Sequence, residues 1–430
     1  MSTTKPSTNK PSTDLSVREV LRNRNVGLLF GAKFASTTAA MVLFSAMSVH
    51  VFDITSRKRD LGFLGLVEFI PALVLVFAAG TVVDRFDRRR VAAIGLGLEV
   101  LVVVILLAID FTNVRTAAPF LLLTFLLGCS RAFVGPSLQS VVPAAAPDGQ
   151  LARVVALGSA TWQFAIILGP LIGTFAYKAA PKLAYAIAGF LIAVAIIMIL
   201  ALPERIGQAH LSTLDQTADE AEKSTFKDAF KGLAVVRRQP ILLGAITLDL
   251  FAVLFGGAIA LLPAVAKEVL GGGASDVGVL RAAGGIGATA VTLMLAVRPL
   301  TKRVGHWLLV AVFVFGAATI VFGLSKSLWI SVVAMFVLHG ADSVSVFVRS
   351  TLVPLVTPAA ERGRVLAVES VFIGASNELG AFESGEVAHH FGTVPSIVSG
   401  GIITMVVVVA ACFLFPALRK VDRFEDLSEA

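Results

Sequence analysis

The chain has 430 residues, 56% of them hydrophobic, and a mean hydropathy of +0.86, which excludes an ordinary soluble globular domain. The formal net charge is +7, but Lys and Arg favour the loops of one predicted face by about three to one, a positive-inside distribution rather than a nucleic-acid footprint. The two cysteines, Cys129 and Cys412, both fall in apolar runs and read as inert small hydrophobes.

Residues 1–15 are rich in Ser, Thr, Pro and Lys and are expected to be a disordered tail with no cleavable signal. Ser16-Val17-Arg18-Glu19 reads as a capping box opening a short amphipathic segment at the inner surface. A membrane crossing takes about 20 mostly apolar residues, and twelve such runs follow. The first six are predicted at Val26–Phe52, Leu61–Val82, Val91–Ile109, Ala117–Leu138, Val154–Tyr177 and Leu183–Leu202. Residues 203–240 are hydrophilic and form a predicted linker, acidic at Asp215, Asp219, Glu220 and Glu222, then amphipathic with Phe226, Phe230 and Leu233 on one side. The second six runs are predicted at Ile241–Val265, Val277–Arg298, Trp307–Leu324, Trp329–Leu352, Val365–Phe391 and Val394–Phe415, and residues 418–430 are a polar tail. The charge rule puts both termini on the cytoplasmic side of the cell membrane. Its one breach is Arg57, Lys58 and Arg59 in the opposite loop, Thr55 to Asp60.

The second half repeats the first. Shifted by 213 residues, Arg24 meets Arg237, Gly31-Ala32 meets Gly244-Ala245, and Gly65 meets Gly278. Shifted by 211, Pro143 and Pro147 meet Pro354 and Pro358, Arg153-Val154 meets Arg364-Val365, and Gly169 meets Gly380. The expected fold class is therefore all-α integral membrane: twelve transmembrane helices in two pseudo-twofold-related six-helix bundles, residues 16–202 and 241–417, enclosing a path across the bilayer.

An ionisable group at the bilayer centre costs about 2.5–3.5 kcal/mol even on the lenient insertion scale, so each one needs a reason. Inside the predicted runs lie Lys33, Glu68, Glu99, Arg131, Asp249, Arg281, Asp342, Arg349, Asn377, Glu378, Glu383 and Glu386. Under the repeat, Glu68 falls opposite Arg281 and Arg131 opposite Asp342, so equivalent positions carry opposite charges and are read as inward-facing. Asp249 sits near the middle of its run, a plausible proton carrier. Trp162 and Gln163 on the fifth run line the path, or the tryptophan simply packs.

Between the second and third runs, Gly80-Thr81-Val82-Val83-Asp84-Arg85-Phe86-Asp87-Arg88-Arg89-Arg90 resembles the helix 2–3 loop signature of the major facilitator superfamily of secondary transporters. Gly80, Asp84, Arg85, Arg88 and Arg89 match; Asp87 stands where that family usually has glycine. Leu127, Arg131 and Gly135 resemble the family's helix 4 signature, and Gly169-Pro170 with Gly173 its antiporter signature, with Thr174 in place of a glycine. The stretch from Asp342 to Glu386, with Arg349 and Glu361 to Arg364, is similar to the subgroup containing the enterobactin exporter and drug exporters.

The resemblance implies alternating access and export of a small amphipathic molecule, a drug or siderophore, in exchange for protons. Asp249, Asp342, Glu378 and Glu68 would then titrate, with Arg131 modulating them. Lys33, Arg281, Arg349, Asn377, Glu383, Trp162 and Gln163 would line the cavity, and Gly169, Pro170 and Gly173 would let a helix bend or pack closely. Gly80, Asp84, Arg85, Arg88 and Arg89 would form a cytoplasmic gate, with Asp84 near Arg364. Expected partners are the substrate, protons and the lipid bilayer, with no nucleic acid, no cofactor, and a monomeric chain. The alternatives are an importer or lysolipid flippase of the same fold, or a non-transporting membrane receptor. No nucleotide loop, metal cluster or catalytic triad is present, and Gly271-Gly272-Gly273 does not open a phosphate loop, which argues against an enzyme or an ATP-driven pump.

Overall fold

The computed structural model describes residues 23–109, 114–147, 150–208, 233–358 and 361–425. The capping box at Ser16, the acidic part of the linker and its aromatic residues Phe226 and Phe230 lie outside the described residues. In hydrocarbon every backbone N–H and C=O must be satisfied within its own segment, so apolar runs of this length become helices. They are α1 (Arg24–Thr55), α2 (Lys58–Arg85), α3 (Arg88–Ile109), α4 (Ala118–Ser140), α5 (Leu151–Ala179), α6 (Pro181–Leu200), α7 (Pro240–Phe255), α8 (Ala274–Val297), α9 (Val304–Leu324), α10 (Leu328–Val356), α11 (Arg362–Phe391) and α12 (Thr393–Leu414). Eleven spans among the described residues are long and apolar enough to cross a membrane, the seventh running on from α7 to Val269; α2 makes the twelfth as a bent span whose axis turns by 56° between Lys58–Leu75 and Ala78–Arg85.

Two expectations are corrected. The loop predicted over Thr55 to Asp60 shrinks to Ser56 and Arg57, because Ser56 turns left-handed (φ 51°) and ends α1, so Lys58 and Arg59 fall in the first turn of α2. The seventh run is not one α-helix to Val265. It breaks after Phe255 at Gly256-Gly257 and continues as a 3-10 turn (Ala258–Leu261), a short α-turn (Leu262–Ala264) and a π-turn (Val265–Val269). The reason is packing: α11 presses its Gly380 backbone onto Gly257, where a side chain would have no room.

The helices pack as two six-helix bundles with matching neighbours. In the first, α1 packs on α5 and α6, α4 on α2 and α3, and α3 on α6; in the second, α7 packs on α11 and α12, α10 on α8 and α9, and α9 on α12. The bundles meet along α2–α11 and α5–α8, two contacts related by the same repeat. Glycines set these crossings. Gly65 lies against Ala381 and Gly278 against the Pro170 carbonyl, equivalent positions in the two contacts. With lipid as the alternative solvent, such close backbone approach supplies the association energy by van der Waals packing.

The apolar interior shows where the bundles join. One core runs from Leu29, Leu43, Phe120 and Tyr185 of the first bundle into Leu261, Leu262, Val277 and Phe322 of the second. It crosses between them at the end bearing the α1–α2 turn. A separate core, with Leu242, Leu308, Val348 and Leu352, fills the second bundle toward the end bearing the α2–α3 loop. At that end Val155 and Trp162 of α5 and Val371 of α11 are exposed. The molecule is closed at the α1–α2 end and parted at the α2–α3 end.

Candidate functional site

Three chambers follow one another between the bundles. The deepest, of about 210 Å³, is walled by Phe44, Gly65, Arg281, His339, Asp342, Asn377 and Glu378. The second, of about 540 Å³, shares Ile259, Arg281, His339 and Asp342 with it and adds Met41, Trp162, Gln163, Ile166 and Met335. The third, of about 810 Å³, shares Trp162, Gln163 and Thr292 with the second and opens toward the α2–α3 end past Lys33, Gln139 and Phe164. Charge is concentrated at the closed end and apolar surface at the open end.

The charged residues divide into those that form ion pairs and those that do not. Glu68 of α2 and Arg131 of α4 form a direct ion pair inside the first bundle, and neither lines the three chambers. Beside them Ser130 donates to the Gly95 carbonyl at 2.8 Å and to Glu99 at 3.1 Å. Their repeat equivalents, Arg281 of α8 and Asp342 of α10, behave differently. Both face the chambers, and neither has a hydrogen-bond or ion-pair partner among the described residues. Arg281 sits over the Phe44 ring, 5.3 Å from its centroid, while its Nε is buried without an acceptor. Glu378 of α11, lying over Gly65, is likewise unpaired. Asn377 donates back to the Ile373 carbonyl at 2.8 Å, and His339 Nδ1 lies 3.1 Å from the Met335 carbonyl.

A second charged group lies within the C-terminal bundle. Arg349, expected to line the cavity, lines none of the three chambers. Instead Arg349 is buried and pairs with Asp249 at 2.7 Å and with Glu369 at 3.8 Å. Depth explains this: Arg349 stands seven residues from Asp342 on nearly the same face of α10, about 10 Å nearer the α2–α3 end, level with the acids of α7 and α11. A void of about 10 Å³ bordered by Asp249, Asp342, Ser345 and Phe315 lies between this triad and the chamber. Glu383 also lies off the three chambers, beside Ser384 at 3.5 Å. Lys33 at the open end donates to Gln139 at 2.9 Å, and Gln163 reaches the Gly285 carbonyl of the other bundle at 3.4 Å. Gly169 and Gly173 let α5 approach Met41 and Val42 of α1, and Thr174 donates to the Pro170 carbonyl at 2.7 Å.

At the α2–α3 end the loop is tied within its own bundle. Arg88 donates to the Ser140 carbonyl at 2.7 Å, closing the end of α4. Arg89 is buried, pairs with Asp87 at 2.8 Å, donates to the Leu202 carbonyl and lies 3.6 Å from Glu204. Burial pushes the Asp87 carboxyl up, but the Arg89 hydrogen bonds and charge outweigh it and the net direction is down. Gly80 has open space beside it, and exposed Asp84 has its ion pair with Arg88 at 4.0 Å rather than with Arg364. Arg85 is the last residue of α2.

At the opposite end the ion pairs cross between bundles. Lys58 meets Glu268 at 2.9 Å, Arg59 meets Glu386 at 3.0 Å, and Lys267 meets Asp53 at 2.9 Å. Thr393 donates to Glu268 at 2.7 Å and Tyr177 to Asp53 at 3.2 Å. Sequence reasoning missed these partners and missed Glu369. The breach of the charge rule at Arg57 to Arg59 was the available signal for the first.

Comparison with known proteins agrees with this architecture. The family model described as Major Facilitator Superfamily matches residues 29–338. The uncharacterized MFS-type transporter YkuC of Bacillus subtilis (strain 168) is 27% identical over 161 residues, 37% of each chain. Macrolide efflux protein A of Streptococcus pyogenes is 21% identical over 153 residues, 35% of this chain and 37% of that protein. These matches span little more than a third of either relative. Among solved structures, nucleoside transporter NupG aligns with a TM-score of 0.65 at 14% identity over 92% of this chain and 99% of that one. The D-xylose-proton symporter gives 0.64 at 17% identity, over 92% and 96%. A bacterial homolog to human lysosomal transporter Spinster gives 0.66 at 15% identity, over 93% and 98%. With a family model covering well over half its length and the two-bundle architecture in place, the chain belongs to the Major Facilitator Superfamily, a family of membrane transporters and not of enzymes.

Proposed function

We propose that the protein is a secondary transporter of the cytoplasmic membrane that exports a small amphipathic organic molecule in exchange for protons. The observation that carries this reading is the run of chambers between the bundles, charged at depth and parted only at the α2–α3 end. The basic α2–α3 loop favours the cytoplasm for that end, which would make this conformer inward-facing and ready to load cargo from the cell interior. Rocking the bundles about the chamber would break the cross-bundle ion pairs at the outer end and bring α2 and α11, and α5 and α8, together at the inner end. The Asp84 loop would then act as the inner latch. The Streptococcus pyogenes macrolide efflux relative and the resemblance to the enterobactin- and drug-exporter subgroup favour export.

Protons would be exchanged at Asp342 and Glu378, the unpaired carboxyls that face the chamber. The Asp249–Arg349–Glu369 triad would connect Asp342 toward the cytoplasm. Coupling requires cargo and proton to favour different conformers, since a ligand that binds both equally shifts nothing. The test is efflux of a substrate panel from cells and proteoliposomes with an imposed pH gradient. Asp342→Asn should abolish gradient-driven efflux; undiminished gradient-driven efflux would remove proton coupling from the reading.

A further inference from the structure

The chambers themselves specify the charge and polarity of what fits them. The deep end is lined by a guanidinium, Arg281, and two carboxyls, Asp342 and Glu378, none of which has an ion-pair or hydrogen-bond partner among the described residues. The nearby Arg131 meets Glu68 through Nη1 alone and keeps Nε and Nη2 buried without acceptors, but neither residue lines the chambers. An arginine is charged at every working pH, and a charge left without a counter-charge in a low-dielectric site is costly. A purely cationic cargo would answer the carboxyls but leave Arg281 uncompensated and facing a like charge. A purely anionic cargo would answer Arg281 and repel the acids.

Resting on the transport reading above, we infer that the cargo is a zwitterionic amphiphile bound head-first. Its anionic group pairs with Arg281, its cationic group lies against Asp342 and Glu378 with the Phe44 ring on one side, and its apolar body runs back through the second and third chambers. Those chambers suit a tail. The second is walled by Met41, Ile166 and Met335, and the third by Phe30, Phe164 and Ile167. The order of the chambers fixes the direction: charge lies at the closed end, so the head enters first and the tail trails toward the opening.

Three probes with one dodecyl tail test this: N-dodecyl-N,N-dimethylglycine (both charges), dodecyltrimethylammonium (cation) and dodecanoate (anion), with tail-less trimethylglycine as a fourth arm. Trp162 lines the second and third chambers, whereas Trp307 and Trp329 do not, so Trp307→Phe with Trp329→Phe leaves one reporter whose quenching reads binding in nanodiscs. The zwitterion should bind about tenfold or more tighter than either singly charged probe, and trimethylglycine should bind far more weakly than its dodecyl form. Arg281→Gln should erase the preference for the zwitterion over the cation, Asp342→Asn should erase its preference over the anion, and Arg281→Lys should keep both. A cation or anion ranking first in the unmutated chamber overturns the inference whether or not the variants fold, as does a ranking that Arg281→Gln leaves unchanged. If the zwitterion ranks first but no efflux is measured, this inference stands and the transport reading falls. Efflux with a singly charged preference gives the reverse.

Discussion

The two halves of the chain have the same helix packing but place their buried charge differently. At repeat-equivalent positions the first half has Glu68 and Arg131, joined in a closed ion pair, and the second has Arg281 and Asp342, both open to the chamber. The difference recurs deeper in the bundles. The second half holds the Asp249–Arg349–Glu369 triad where the repeat puts Ser36, Leu138 and Gly158 in the first. The first bundle thus keeps its ion pair off the chamber and serves as a wall, while the second holds both the charged surface of the chamber and a charged group behind it. A duplicated fold need not share its chemistry evenly between its copies.

The strongest way to break this comparison is to remove the centre of the triad. Arg349→Gln leaves two buried carboxyls without their counter-ion and should destabilise the protein by about 3–5 kcal/mol, read as a lowered thermal midpoint in detergent. Making the second half like the first, Asp249→Ser with Arg349→Leu and Glu369→Gly, should recover most of that loss because no charge is then stranded. If the triad serves the proton path, gradient-driven efflux should remain absent in the recovered protein.

Next in size is the contrast between the equivalent arginines. Arg131→Met strands Glu68, whose side chain is only 16% exposed, and should cost about 2–3 kcal/mol. Arg281→Met removes a charge that has no partner, so the thermal midpoint should hold or rise while cargo binding is lost. Equal destabilisation by the two substitutions would end the distinction between wall and working surface.

The halves agree better in how they tie their loops. In the first, Asp87 and Arg89 fasten the α2–α3 loop to Leu202 and Glu204 beyond α6; in the second, Asp422 beyond α12 accepts from the Arg303 amide at 3.0 Å, fastening the α8–α9 loop. Asp87→Asn should cost about 1–2 kcal/mol at neutral pH. The sign with pH follows from its lowered native value: the contribution is full above the usual carboxyl value of 3.8 and is lost as pH falls through the native one. Wild type and Asp87→Asn midpoints should therefore differ at pH 7 and converge below about pH 4.

The smallest effects belong to the cross-bundle pairs. Lys58→Ala and Arg59→Ala each remove a partly exposed pair worth about 0.2–1 kcal/mol. Together they should move the balance of conformers away from closure at the α1–α2 end by no more than about thirtyfold, measurable as a change in spin-label distance across that end.

The span positions and the two-bundle fold were legible because each run had to be both long and apolar, and because prolines and an arginine share one offset across the halves. Positions that depend on which neighbouring helix lies at a given depth were not. Arg349 and Asp342 share nearly one face of the tenth run, two turns apart, and only the acids of α7 and α11 level with Arg349 pair with it and leave Asp342 facing the chamber. Glu369 was passed over because, four residues into its predicted run, it reads as an interfacial acid. The break at Gly256-Gly257 depends on a helix more than a hundred residues later pressing against it. Lys58 and Arg59 likewise have partners that no local pattern could name.

Those last pairs have a consequence for rate. Their side chains reach water, so mobile ions in the bath at that end compete for them, and the screening length falls from about 10 Å at 0.1 M salt to about 3 Å at 1 M. The apolar core beneath them has no such sensitivity. A carrier closed in this way would turn over faster in brine on that side alone, and would hardly notice salt on the other.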